Sequence, residues 1–234
     1  MGYIGADFSY IPVDTVRTSN FNSNLSSSNL ASLMPNDDNQ HRKLLSTIDA
    51  AGVANPTFSS SVITDDYDYY DVYVYDVKPT SNNNNALNYL YCRFIQGSTT
   101  ISSNAYMSRG YHIGMRRGDT WEAQGWAYDM QGIIYLTHPH QFLGLAPDSE
   151  GTFHAWYRFY NLRSTTTFKG VREIDAQYYS NYNTYGAPYY VQPFGFMDTN
   201  TSSSYDTKVD GILFGIGYGS PFTQGTFKLY GWKK

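Results

Sequence analysis

One cysteine, Cys92, is the entire sulfhydryl content of the 234 residues, so no intramolecular disulfide can form and a disulfide-stapled scaffold is excluded. Between Tyr91 and Arg93 it falls in a predicted strand, where the expected role is a buried small hydrophobe rather than a nucleophile. Charge is also scarce. Asp, Glu, Lys and Arg make up 15% of the chain, 16 basic against 20 acidic, for a formal net charge of -4. No cluster of lysine and arginine forms the footprint that a phosphate backbone requires, which argues against nucleic acid as a partner. Nowhere is there an apolar run of about 18 residues, as a membrane helix needs. The opening residues carry neither the basic region nor the apolar stretch of a secretory signal. The chain is therefore expected to be soluble when made, with no membrane insertion.

Signatures of catalysis are missing too. There is no phosphate-binding glycine loop, nucleophile elbow or cysteine–histidine arrangement. Gly215, Gly217 and Gly219 alternate with bulky residues, as suits close packing in a sheet. His138-Pro139-His140 could offer two metal ligands, with His112, His154 or a carboxylate as a third, but the adjoining proline and Gln-Phe-Leu-Gly read as a strand end or an intersubunit contact. Asp65, Asp66 and Asp68 lack the Asp-x-Asn-x-Asn-Gly spacing of a calcium loop and read as a solvated strand entrance. Glycoside hydrolysis needs two facing acids, and the series Asp65, Asp66, Asp68, Asp71 and Asp76 does not by its spacing establish such a pair. The expectation is a protein that is not an enzyme, with no metal and no cofactor.

What the sequence does hold is aromatic. Phe, Trp and Tyr make up 18% of it, with 24 tyrosines, and Ser, Thr, Asn and Gly fill much of the remainder. Aromatic and β-branched residues favour pleated surfaces and small polar ones favour turns, so the composition points to an all-β fold. A chain this long can bury roughly 70% of the surface its unfolded form exposes, enough for one large core or two small ones. Tyrosine also suits assembly surfaces, because it buries much area while freezing few rotors.

Read in order, residues 1–56 form an amino-terminal arm with one short helix, and 57–234 an antiparallel β-sandwich of jelly-roll-like type. Tyr3, Ile4, Phe8, Tyr10, Ile11, Val13 and Val16 are scattered apolar groups with no core of their own, so they are expected to dock on a partner subunit. The helix is predicted from Asp38 to Ala51, capped by Asn36 or Asp37, with Leu44, Leu45, Ile48 and Ala51 on one face and Gly52 and Pro56 ending it. From Tyr67 to Val77 the residues alternate. Tyr67, Tyr69, Asp71, Tyr73, Tyr75 and Val77 fall on one side, and neither side is purely polar, so the second face should meet another element or subunit.

Strands are predicted at 86–96, 106–115, 132–137, 151–161 and 171–179. Val209 to Lys234 reads as two strands meeting at a turn, with Ile212, Phe214, Ile216 and Tyr218 on one face of the first and Phe227, Leu229 and Gly231 on one face of the second. Arg116 to Asp129, holding Trp121 and Trp126, reads as an exposed turn. Tyr178 to Tyr190 reads as a tyrosine-rich surface loop. Tyr178, Tyr179, Tyr182, Tyr185, Tyr189 and Tyr190, with Trp121 and Trp126, are the candidates for subunit or glycan contact.

Several stretches resemble those of tailed-bacteriophage virion proteins. Asp210-Gly-Ile-Leu-Phe with Phe222-Thr-Gln-Gly-Thr-Phe-Lys-Leu-Tyr-Gly is similar to the closing hairpin of a sandwich in that group. Tyr70-Asp-Val-Tyr-Val-Tyr-Asp-Val-Lys-Pro-Thr followed by Leu90-Tyr-Cys-Arg-Phe resembles its strand, Pro-x-Thr/Asn loop and Leu-x-x-Arg-Phe strand. Ile101-Ser-Ser-Asn-Ala-Tyr and Gly132-Ile-Ile-Tyr-Leu are similar as well, so that the resemblance covers about residues 60–234. Met1-Gly-Tyr-Ile-Gly looks like the start of some fibre proteins of short-tailed marine phages, where it attaches to the tail. No heptads and no repeated shaft follow. The resemblance thus implies a compact virion component, such as a tail adaptor, tail-associated protein or capsid decoration, made in the host cytoplasm and built from several copies, first of all a trimer. Its implied partners are copies of itself, other tail or capsid proteins and, through the tyrosine-rich loops, a host surface glycan.

Overall fold

The computed structural model describes residues 42–80, 89–102, 105–116, 120–137, 152–180, 187–197 and 207–233. Among these the strands are β1 (Arg42–Asp49), β2 (Thr57–Phe58), β3 (Tyr67–Pro79), β4 (Leu90–Gln96), β5 (Thr99–Thr100), β6 (Tyr106–Arg116), β7 (Thr120–Gln131), β8 (Ile134–Tyr135), β9 (Thr152–Tyr160), β10 (Gly170–Ser180), β11 (Ala187–Met197), β12 (Gly211–Ile216) and β13 (Phe222–Lys233). Eight of them form one sheet in the order β1-β13-β3-β9-β10-β11-β6-β7, and five form another, β2-β12-β4 with β5 and β8 sharing the far edge of β4. Every pairing is antiparallel. The fold is all-β and sandwich-like, as the composition implies.

The alternation within the strands decides what lies between the sheets. Val72, Val74, Tyr157, Phe159, Phe227 and Leu229 of the large sheet, and Leu90, Cys92, Phe94, Ile212, Phe214 and Ile216 of the small one, are all buried. Rings interlock across the layer. Phe159 meets Phe214 edge-on with centroids 6.2 Å apart, and Phe214 lies 4.9 Å from Phe227. Each such side chain contributes about 1.5–3 kcal/mol through burial. One polar contact ties the sheets together: Ser108 Oγ of β6 accepts from the Tyr135 amide of β8 at 3.1 Å. Burial also pushes the Cys92 thiol well above its ordinary range, which fits an inert, packed cysteine.

Within the segment predicted as a helix, Arg42–Asp49 is a strand. Among the described residues there is no α-helix, only a single 3-10 turn at Gly217–Gly219. β1 pairs with β13, and its register slips between Leu44 and Ser46. This bulge lets Leu45 pack on the core along with Ile48, three residues further on, while Leu44 is left exposed. The spacing that mimics one turn of a helix is produced by the extra residue. Gly52, read as a helix cap, instead sits at φ +73° in the turn leaving the strand.

β12 and β13 do not form a hairpin. β12 pairs with β2 and β4 in the small sheet, and β13 lies between β1 and β3 in the large one, so the 3-10 turn carries the chain from one layer to the other. Gly219, at φ +69°, and Pro221 make that change of direction. Ile212, Phe214, Ile216, Phe227 and Leu229 of the expected inward faces are all buried, whereas Tyr218 falls in the 3-10 turn beyond β12.

Candidate interaction surface

On β3 the side opposite the core carries Tyr69, Asp71, Tyr73 and Tyr75. The ends of the predicted series depart from it. Asp76, at φ +52°, and Gly225 opposite disrupt the ladder, so Val77 turns inward and is buried. Tyr67 packs on the core as well, and a Cβ on Gly231 would meet its ring at 2.5 Å. The cross-strand register then assembles the outer face in rows. Leu44, Tyr230, Asp71, Arg158, Arg172, Phe194 and Arg109 stand side by side across seven strands, next to a row of Arg42, Trp232, Tyr69 and Tyr160.

Within these rows a second layer of packing forms outside the sheet. Asp71 is fully buried although it belongs to the outer face. Arg158 donates from Nε to Oδ1 at 2.7 Å and from its NH2 arm to Oδ2 at 2.9 Å, and Trp232 Nε1 donates to Oδ2 at 2.6 Å. A carboxylate taken from water is tolerated because this fork and the indole satisfy it. The hydrogen bond to Asp71 raises the guanidinium pKa of Arg158 against the opposing effect of burial.

Rings roof the pair. Arg158 lies 4.3 Å from the Tyr69 centroid, Tyr69 stacks on Trp232 at 5.4 Å, and Tyr73 stacks on Trp156 at 5.0 Å. At the sheet edge Arg42 covers Tyr230 at 4.6 Å and donates to Tyr73 Oη at 2.9 Å. Aromatic pairs and cation–π contacts are each worth about 0.5–1.5 kcal/mol, so the side chains hold one another in place. Trp156 Nε1 is buried with no hydrogen-bond partner among the described residues, and its ring borders a hollow of about 370 Å³ with Tyr73, Tyr75, His154 and Asp175.

Comparison with protein-family models, curated proteins and solved structures returns no match. The reading of function therefore rests on the residues themselves.

The structure redistributes the predicted contact residues. Arg116 to Asp129 is not an exposed turn: most of it is β7, paired along its length with β6. Trp126 is buried in the core, its ring lying over Gly110, while Trp121 stands in β7 opposite Met115. Tyr178 and Tyr179 belong to β10, and Tyr189 and Tyr190 to β11, with Tyr178 opposite Tyr189. What was read as one loop is thus largely the paired ends of two strands. Tyr182, Tyr185, His138, His140 and the arm residues Tyr3, Ile4, Phe8, Tyr10, Ile11, Val13 and Val16 lie outside the described residues.

The acidic strand entrance is occupied by the protein's own cations. Asp65 accepts from Arg163 at 3.1 Å and from Lys208 at 2.8 Å, which lowers its pKa to about 2, and Arg163 also pairs with Asp210. Asp66 accepts from the Thr64 hydroxyl at 2.9 Å. These contacts clamp loops at one end of the sandwich. Sequence reading missed Arg42, Arg158, Trp156, Tyr230 and Trp232 as members of the outer surface. The signal was present only in β3, whose two faces are both apolar enough to demand a covering.

Proposed function

We propose that the chain is a non-enzymatic structural component of a tailed-phage particle, assembled as a trimer on the tail or capsid surface. The residues before β1 serve as its fastener, and the part of the large sheet's outer face formed by β1, β13, β3 and β9 is a contact with neighbouring subunits. The observation that carries this reading is the preassembled ladder of Tyr69, Tyr73, Tyr75, Trp156, Tyr230 and Trp232 with Arg42 and Arg158. Tyrosine, tryptophan and arginine are the residues that concentrate at the energetic centres of protein interfaces. Stacking has already removed much of their rotamer freedom, which lowers the cost of association. The phage assignment is supported by the series of short resemblances from Tyr70 to the last strand.

Two measurements test it. Sedimentation of the purified protein is expected to give a trimer that dissociates in Tyr75→Glu and Trp156→Ser variants whose circular dichroism is unchanged. Mass spectrometry of gradient-purified tailed particles from a culture carrying the gene is expected to find the chain, and to lose it when residues 1–16 are deleted. A monomer at all concentrations, or absence from particles, would overturn the proposal.

A further inference from the structure

The half of the outer face formed by β10, β11, β6 and β7 differs from the ladder: it is hollow. An open groove of about 730 Å³ lies there, within the range of small-molecule and saccharide-sized sites. Register places Arg172, Phe194, Arg109 and Ala127 in one row and Gln192, Tyr111 and Gly125 in the next. Phe194 and Tyr111 are 48% and 41% exposed, although other tyrosines on this sheet face are stacked under neighbours. Depth comes from absent side chains. A Cβ on Gly125 would find only ordinary contacts, 3.6 Å from Gly110 O and 3.7 Å from Tyr111, and its φ is not left-handed. Packing does not demand glycine there, so the missing side chain serves the groove.

Polar groups surround the two rings. Arg109 is held by Asp129 at 2.5 Å. Arg172 rests 5.6 Å from the Tyr160 centroid and, among the described residues, has no carboxylate partner. Gln192 also lines the groove, whereas Glu173 borders it from a position opposite the buried Tyr157, on the other side of its strand. We infer that it binds an oligosaccharide bearing an anionic group. The C–H faces of pyranose rings are apolar and lie flat on exposed aromatic rings, while their hydroxyls, which both donate and accept, pair with planar amide and guanidinium groups. Arg172 offers a bidentate fork to a carboxylate or sulfate on the sugar. This site is distinct from the tyrosine-rich strand ends, and it does not depend on where the chain is assembled.

Calorimetric titration of the full chain with an oligouronate hexamer, a sulfated hexasaccharide and a neutral glucose hexamer tests the inference. Saturable binding of at least one acidic probe is expected, tighter than the neutral one by tenfold or more. Gly125→Leu, which fills the groove without backbone strain, should abolish it. Arg172→Gln should weaken the acidic probe about tenfold and leave the neutral probe unchanged, and Phe194→Ala should weaken both, with melting temperatures within a degree or two of the parent. No saturable binding of any probe, or binding that survives both Gly125→Leu and Arg172→Gln, would overturn it. Equal affinity for acidic and neutral probes would overturn the role of Arg172. If groove variants instead dissociate an oligomer in sedimentation, the occupant is a second copy and the saccharide assignment fails.

Discussion

Asp71 and Arg158 form a bidentate ion pair on what would ordinarily be the wet side of a sheet, with both carboxylate oxygens engaged at 2.7 and 2.9 Å. Because Asp71 is fully buried, removing only its partner strands a charge. Arg158→Met is expected to cost about 3–5 kcal/mol in urea unfolding, whereas the double variant Asp71→Leu/Arg158→Met should recover most of that loss. A double variant as unstable as the single one would mean that the pair is not what supports the outer layer.

Tyrosines in the core give the protein an alkaline limit. Tyr70 Oη donates to Thr64 O at 2.6 Å and accepts from the Thr64 amide at 2.8 Å, and burial pushes its phenol up to about 12. A phenol raised in the folded state stabilises fully below its ordinary value near 10 and loses that contribution as pH rises through 12. Tyr70→Phe should therefore cost about 1–3 kcal/mol at neutral pH. Melting curves between pH 10 and 12 should show the gap between parent and variant narrowing as pH climbs. A constant gap would count against the assignment.

At the acid end the sign reverses. Asp65 is depressed from 3.8 to about 2, first through its hydrogen bond from Arg163 and then through that from Lys208. Its contribution is present above pH 4 and disappears as pH falls towards 2. The melting-temperature difference between the parent and Asp65→Asn should hold above pH 4 and close below it. The effect should be small and salt-sensitive, because the carboxylate is exposed.

Two glycines on neighbouring strands should respond oppositely. A Cβ on Gly110 would fall 2.0 Å from the Trp126 ring, while one on Gly125 meets nothing closer than 3.6 Å. Gly110→Ala is expected to destabilise by about 1–3 kcal/mol through overpacking, and Gly125→Ala to be neutral or slightly stabilising. Thermal unfolding of both variants distinguishes them.

The all-β class and most strands were legible because alternation in β3, β4, β12 and β13 follows the two-residue period closely. β1 misled because a bulge made Leu45 and Ile48 both face inward at a helical spacing. Trp126 looked like a surface residue because Arg116, Arg117 and Asp119 precede it in sequence, yet its ring fills the space left open by Gly110, a residue on another strand. The outer surface was half legible. Tyrosines in β3 announced a covered second face, but Arg158 and Trp232 join them only through cross-strand register, which is a property of pairing between distant segments. For the same reason the tyrosines sorted poorly: Tyr70, Tyr106 and Tyr157 donate to Thr64 O, Ile101 O and Leu136 O and serve the interior, although in composition they are the same residue as those outside.

The position of β13 between β1 and β3 has a consequence for synthesis. Among the described strands β1 has no neighbour in the sheet except β13, and β13 leaves the ribosome last. At about 5–20 residues per second, Arg42–Asp49 waits on the order of ten seconds or more before its partner exists. For that interval a nascent chain carries an unpaired segment that includes Leu44, Leu45 and Ile48, and β3 lacks one of its two neighbours. Polysomes making several copies at once would bring such unfinished sheets close together, so the bulge in β1, by spoiling a flat edge, guards the growing chains against joining one another prematurely.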